Sequence, residues 1–159
     1  MIIEFKKYRN KPSVLKCIRD DGSESWVSMY PGIEAHDLGH YAIETILDFE
    51  DAFYGMVARG TNITDFELPR NKRPQEVLPQ NLSTQALVTE HLVNLLLVKA
   101  QSNEDLDFLE MARSILAEKQ LPFPKNLDHE HSGTIWAEFQ RLCQLWKTLP
   151  VGNTLSLCF

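Results

Sequence analysis

The reading of the fold turns on residues 24–47, ESWVSMYPGIEAHDLGHYAIETIL, because the chain changes its period inside this stretch. Up to Tyr30 the residues suit an extended strand. After Pro31-Gly32, Leu38, Ala42, Ile43, Ile46 and Leu47 recur at three- and four-residue steps, as they do on one face of a helix. A strand that hands over to an amphipathic helix sets up a layer of sheet against a layer of helix.

Towards the N-terminus the same logic gives a β-meander. Extended segments are expected at Ile2–Tyr8, Val14–Arg19 and Glu24–Tyr30, with Ile3 and Phe5 on one face of the first strand and Glu4 and Lys6 on the other. Asn10-Lys11-Pro12 marks the first turn. Asp20-Asp21-Gly22-Ser23 marks the second, where Asp-Gly tolerates the positive φ of a tight hairpin. Towards the C-terminus, Phe53, Met56 and Val57 extend the helical period, either in one helix or in two joined near Asp48–Asp51, and Gly60 is a stop.

Residues 62–81 carry Pro69, Pro74 and Pro79 with little periodicity and are expected to form a long irregular connection. Further helices are expected from the Ser83-Thr84 caps to about Ala100, over Asn103–Lys119 with Ser102 and Asp105 as a capping pair, and over Ser132–Thr148 with an Ile135, Trp136, Phe139, Leu142, Trp146 stripe. Thr154–Phe159 alternates Leu155, Leu157 and Phe159 and reads as a last strand. The expectation is an α+β fold: an antiparallel sheet of the N-terminal three-stranded meander plus the C-terminal strand, with about four helices packed on it. A chain of 159 residues with 43% apolar content suits a single domain spanning 1–159.

Charge and cysteine usage narrow the function classes. Sixteen basic residues stand against 22 acidic ones, a formal charge of −6, and the basic run Arg70-Asn71-Lys72-Arg73 is short. Nucleic acid is a poor partner for such a surface. Cys17, Cys143 and Cys158 are odd in number and lack C-x-x-C spacing, which points to reduced thiols. The start of the chain lacks the apolar core of a signal peptide, and the apolar run Leu95–Val98 is too short for a bilayer, so a cytoplasmic protein that does not use a membrane is expected.

The chemistry concentrates in His36-Asp37-Leu38-Gly39-His40. On a helix, His36 and His40 differ by roughly 40° around the axis and about 6 Å along it, so both imidazoles can reach one divalent metal, zinc above all. A third ligand is needed. Glu44 would sit about 12 Å from His36 between Cα atoms, which suits a partner that orients His40 better than a ligand. Glu90 and His91, on the next long helix, are the candidates for completing the set; His129 and His131 form a reserve at a helix start. Asp37 occupies the place of the general-base glutamate in H-E-x-x-H zinc hydrolases and is the candidate catalytic carboxylate.

Two functions follow: a metal-dependent hydrolase acting on a small-molecule substrate, or a noncatalytic binding or structural protein whose histidines form a buried polar network.

Parts of the motif resemble known families. His36-Asp37 resembles the metal-binding pair of HD-domain phosphohydrolases, which also use a histidine on an upstream helix, whereas no histidine precedes His36 here. The H-D-x-x-H arrangement is similar to a zinc motif of ubiquinone-biosynthesis proteins, whose closing glutamate position is Ala52 in this chain. The layout as a whole resembles a family of small uncharacterised bacterial proteins. It is carried by His36-Asp37-Leu38-x-His40-Tyr41-Ala42-x-Glu44-Thr45, then Phe53-Tyr54-Gly55, Ile63-Thr64-Asp65-Phe66 and Trp146-x-x-Leu149-Pro150. That resemblance implies the α+β architecture and a shared site, and favours Glu90 over His91.

Overall fold

The computed structural model describes residues 1–159. The meander forms as the turns dictate: β1 (Ile2–Lys6), β2 (Ser13–Ile18) and β3 (Glu24–Met29) pair antiparallel in sequence order. Gly22 takes φ +82° at the second turn, and the Asp21 carboxylate accepts from the Ser23 backbone N–H at 2.8 Å to fix it. β4 (Thr154–Cys158) returns to the free edge of β1, so the sheet order is β3-β2-β1-β4.

Register places Ile3 between Cys17 and Leu157, and Phe5 between Leu15 and Leu155. Ile3, Phe5, Leu15, Cys17 and Leu157 are buried on one face. Trp26 and Ile2 are exposed on the other.

Gly32, at φ +93°, turns the chain from β3 into α1 (Glu34–Ile46), and the Glu34 side chain accepts its backbone N–H at 2.8 Å. α1 crosses the buried face of the sheet and packs on α4 (Thr84–Gln101) and α6 (His129–Thr148); α5 (Phe108–Glu118) packs on α4. The 28-residue core lies between sheet and helices. It includes the fully buried rings of Phe5, Tyr54 and Phe139, each contributing about 1.5–3 kcal/mol by leaving water.

Gly39 lies where α1 packs on α4. A Cβ there would lie 3.2 Å from a Val93 methyl, so glycine lets the two helices come together beside the histidine pair.

The helices differ from expectation in number and in where they start. Six α-helices form instead of about four. The 34–58 segment divides in two, with Asp48 at φ +54° ending α1 before α2 (Phe53–Ala58). The 62–81 connection is not wholly irregular. It opens with α3 (Ile63–Glu67), whose Asp65 reaches back to the Asn62 backbone N–H at 3.1 Å, while Ser25 on β3 accepts from the Ile63 N–H. Three short 3-10 turns follow, two of them introduced by the prolines at 69 and 74 and one beginning at Pro79.

α5 starts at an Asp107 cap and not after Ser102, because the Asp107 carboxylate takes the N–H groups of both Leu109 and Glu110. α6 starts at His129 behind an Asp128 cap, three residues ahead of Ser132. No helix is long and apolar enough to cross a membrane.

Candidate metal centre

The site forms between α1 and α4, which pack together. His36 and His40 lie one turn apart on α1 with ring centroids 4.8 Å apart, and Glu90 projects towards both from the first half of α4. His36 Nε2 is 3.6 Å from one Glu90 oxygen and His40 Nε2 is 3.3 Å from the other. One ligand atom from each of the three residues fits within a 4.8 Å span. Donors bound tetrahedrally at zinc–ligand lengths are about 3.4 Å apart. The two histidine–glutamate separations lie on either side of that value.

The opposite nitrogens are held by carboxylates. His40 Nδ1 lies 2.9 Å from Glu44, which is buried, and His36 Nδ1 lies 3.3 Å from Asp37. A histidine that donates its Nδ1 proton to a carboxylate leaves Nε2 unprotonated and aimed at a metal.

Glu44 is in turn anchored. Its second oxygen accepts backbone N–H groups from Tyr54 at 2.8 Å and Gly55 at 3.4 Å, at the start of α2. Gly55 is required there, because a Cβ would stand 2.0 Å from the Glu50 carbonyl oxygen. The Tyr54 hydroxyl donates back to the Asp37 carbonyl at 3.1 Å, so α2 braces both ends of the histidine turn.

The electrostatics follow from this packing. Burial acts to lower the His40 pKa, but hydrogen bonds to Glu44 and Glu90 outweigh it and lift the imidazole to about 10. Burial also opposes the charged form of His36, and the carboxylates of Asp37 and Glu90 overcome it to leave that pKa raised. At Glu90 burial pushes upwards and the two imidazoles win, holding the carboxyl far below the usual range. Burial dominates at Glu44 and raises it, with His40 and the two backbone N–H groups partly offsetting the shift. Without a metal, His40 therefore keeps its imidazole protonated at neutral pH.

His91 does not join the converging set. It is one residue beyond Glu90, which turns it about 100° around α4, away from the converging set. Glu44 also stays outside the set, since its oxygens are committed to His40 Nδ1 and to α2. His129 and His131 lie at the start of α6, where His131 meets the Asp128 cap at 2.8 Å. Asp37, read from sequence as a catalytic base, touches His36 and also lines a cavity.

His36, Asp37, His40 and Glu90 form one wall of a cavity of about 290 Å³ between the sheet and the helices. The other walls are mainly apolar: Leu15, Val27 and Met29 from the strands, Phe53 from α2, and Ile63 and Phe66 from α3. Phe53 packs against the His40 ring at 5.4 Å and against Phe66 at 5.0 Å. Sequence reasoning assigned no role to Phe53 or Phe66 in a pocket. The only signal available was the capping pair Asn62 and Asp65, which reveals a helix within the supposed loop.

The chain matches no protein-family model, no curated protein and no solved structure with which it was compared.

Proposed function

We propose that this protein is a zinc-dependent hydrolase of a small molecule, with His36, His40 and Glu90 as metal ligands. The observation that carries the reading is the convergence of three ligand atoms within 4.8 Å on the wall of a largely apolar cavity. Two histidines and one glutamate are a donor set suited to zinc with a fourth position open. A metal held by these three residues would supply Lewis-acid chemistry, lowering the pKa of a water.

The chain's own groups supply the rest. Glu44 and Asp37 orient the two imidazoles through Nδ1. Asp37 lines the cavity outside the converging set and is the carboxylate proposed to take up a proton during hydrolysis. Phe53, Phe66 and Val27 give the cavity an apolar side. The acidic overall charge and the three free thiols fit a cytoplasmic enzyme that does not bind nucleic acid.

The competing reading is a noncatalytic protein in which the histidines complete a buried polar network, and it draws on the 2.9 Å contact of buried His40 with buried Glu44. That network needs no cavity at its face, whereas the His36, His40 and Glu90 ends all line one.

Zinc content of purified protein, with turnover of a panel of small esters and amides, tests the proposal. One zinc per chain and turnover lost in His40→Ala and Asp37→Asn support it. Full turnover after chelation, or in Asp37→Asn, removes the metal-dependent mechanism or the role of Asp37 respectively.

A further inference from the structure

The cavity has a composition that selects by charge. Apart from the two imidazoles its ionisable lining is carboxylate: Asp37 and Glu90 beside the histidines, and Glu67 at the end of α3, exposed at the rim. Lys16, which neighbours the lining residue Leu15 in sequence, points to the opposite face of β2, where it pairs with Glu24 at 2.7 Å. Buried Glu44 stands directly behind His40. Together these carboxylates outweigh the two positive charges of a zinc ion. Phosphate esters and carboxylates would enter against this field: no lysine or arginine lines the wall to receive them, and the His40 imidazole is already engaged by Glu44 and Glu90.

The remaining lining defines size and shape. About 290 Å³ holds roughly ten non-hydrogen atoms at the ~30 Å³ that a water molecule occupies in the liquid. Phe53 and Phe66 meet edge to face, with Val27 and Ile63 also lining the pocket, and form an apolar surface suited to one ring or a short branched chain.

We propose that the cavity takes a small molecule with an apolar, ring-sized body and a neutral or cationic polar end, and that Glu67 at the rim sets this charge preference. The proposal deepens the reading of the site as a zinc hydrolase, and depends on it only for which part of the ligand faces His36 and His40.

Three probes of matched body separate the charge classes: benzylamine, benzyl alcohol and benzenesulfonate. Each is titrated into the full chain, both zinc-loaded and chelator-treated, with NMR shifts of Phe53, Phe66 and Ile63 as the readout. Benzylamine and benzyl alcohol are expected to bind at least about tenfold more tightly than benzenesulfonate in both preparations, a difference of about 1.4 kcal/mol. Glu67→Lys, a rim substitution, is expected to weaken benzylamine and bring benzenesulfonate close to benzyl alcohol.

Equal or tighter binding of benzenesulfonate, shifts absent at all three residues with every probe, or an unchanged ranking in Glu67→Lys would overturn the proposal. The zinc reading stands or falls separately on metal content, because the ranking is also read without metal.

Discussion

Glu44→Gln separates a metal centre from a merely structural network. Gln matches Glu in shape, but it has one acceptor oxygen and one NH₂ group where Glu44 has two acceptors. The Tyr54 and Gly55 N–H groups, at 2.8 and 3.4 Å, need the acceptor, so the NH₂ is left facing His40 Nδ1. An NH₂ donor makes Nδ1 the acceptor and moves the ring proton to Nε2. Nε2 is the atom that faces Glu90 at 3.3 Å and must be unprotonated to bind metal.

In the metal-free protein the network still closes, because Nε2–H can donate to Glu90; the thermal midpoint is expected to fall at neutral pH, where wild type keeps the Glu44-supported imidazolium, and to approach wild type as pH rises towards about 10. Zinc affinity is expected to fall tenfold to a hundredfold, the usual cost of losing a carboxylate behind a ligating histidine, or about 1.4–2.8 kcal/mol. Competition titration against a chelating indicator reads the affinity, calorimetry reads the midpoint, and nitrogen NMR of His40 reads the tautomer. Wild-type zinc affinity in Glu44→Gln, with the proton found on Nε2, would refute the argument that tautomer control prepares this site.

Other outcomes follow from the same geometry. In metal-free protein the raised His40 pKa contributes stability that is full below the unfolded value of about 6.5 and is lost as pH rises towards about 10. Denaturant unfolding should therefore weaken across that window. Zinc-loaded protein should lack this decline, since metal replaces the proton, and apparent zinc affinity should rise with pH. Gly55→Ala places a Cβ 2.0 Å from the Glu50 carbonyl oxygen and should cost about 3 kcal/mol in chemical denaturation, weakening zinc binding through Glu44 as well. Thr89 Oγ1 is buried without a hydrogen-bond partner; Thr89→Val should gain about 1 kcal/mol by removing it, with zinc affinity unchanged.

The sheet was legible because its signals are local. Alternation of Ile3 and Phe5 against Glu4 and Lys6, and Asp-Gly at the second hairpin, require no knowledge of distant residues. The four-residue spacing of His36 and His40 was equally readable, since helix geometry alone puts both rings on one side. Choosing Glu90 over His91 needed the rotation of α4 about its axis, which the apolar residues define poorly because both sides of that helix carry them: Leu87 and Leu95 are half-buried, whereas Val88, Thr89, Leu92 and Val93 are fully packed.

The helix starts were misplaced where two capping residues competed. Ser102 and Asp107 both precede the α5 period, and the Ser102 hydroxyl is taken by the Glu104 N–H outside the helix. The Glu44 anchor and the Phe53–Phe66 wall could not be read from spacing, because they join α1, α2 and α3 through contacts that exist only once α1 ends at Asp48 and the chain folds back.

Anomalous diffraction at the zinc edge, from crystals grown with one equivalent of zinc, tests the central claim most directly. A single peak is expected, about 2.0–2.2 Å from His36 Nε2, His40 Nε2 and a Glu90 oxygen, with Glu44 and Asp37 still on the Nδ1 atoms. A peak elsewhere, such as at His129 and His131, or none while His40 stays bonded to both Glu44 and Glu90, would contradict it.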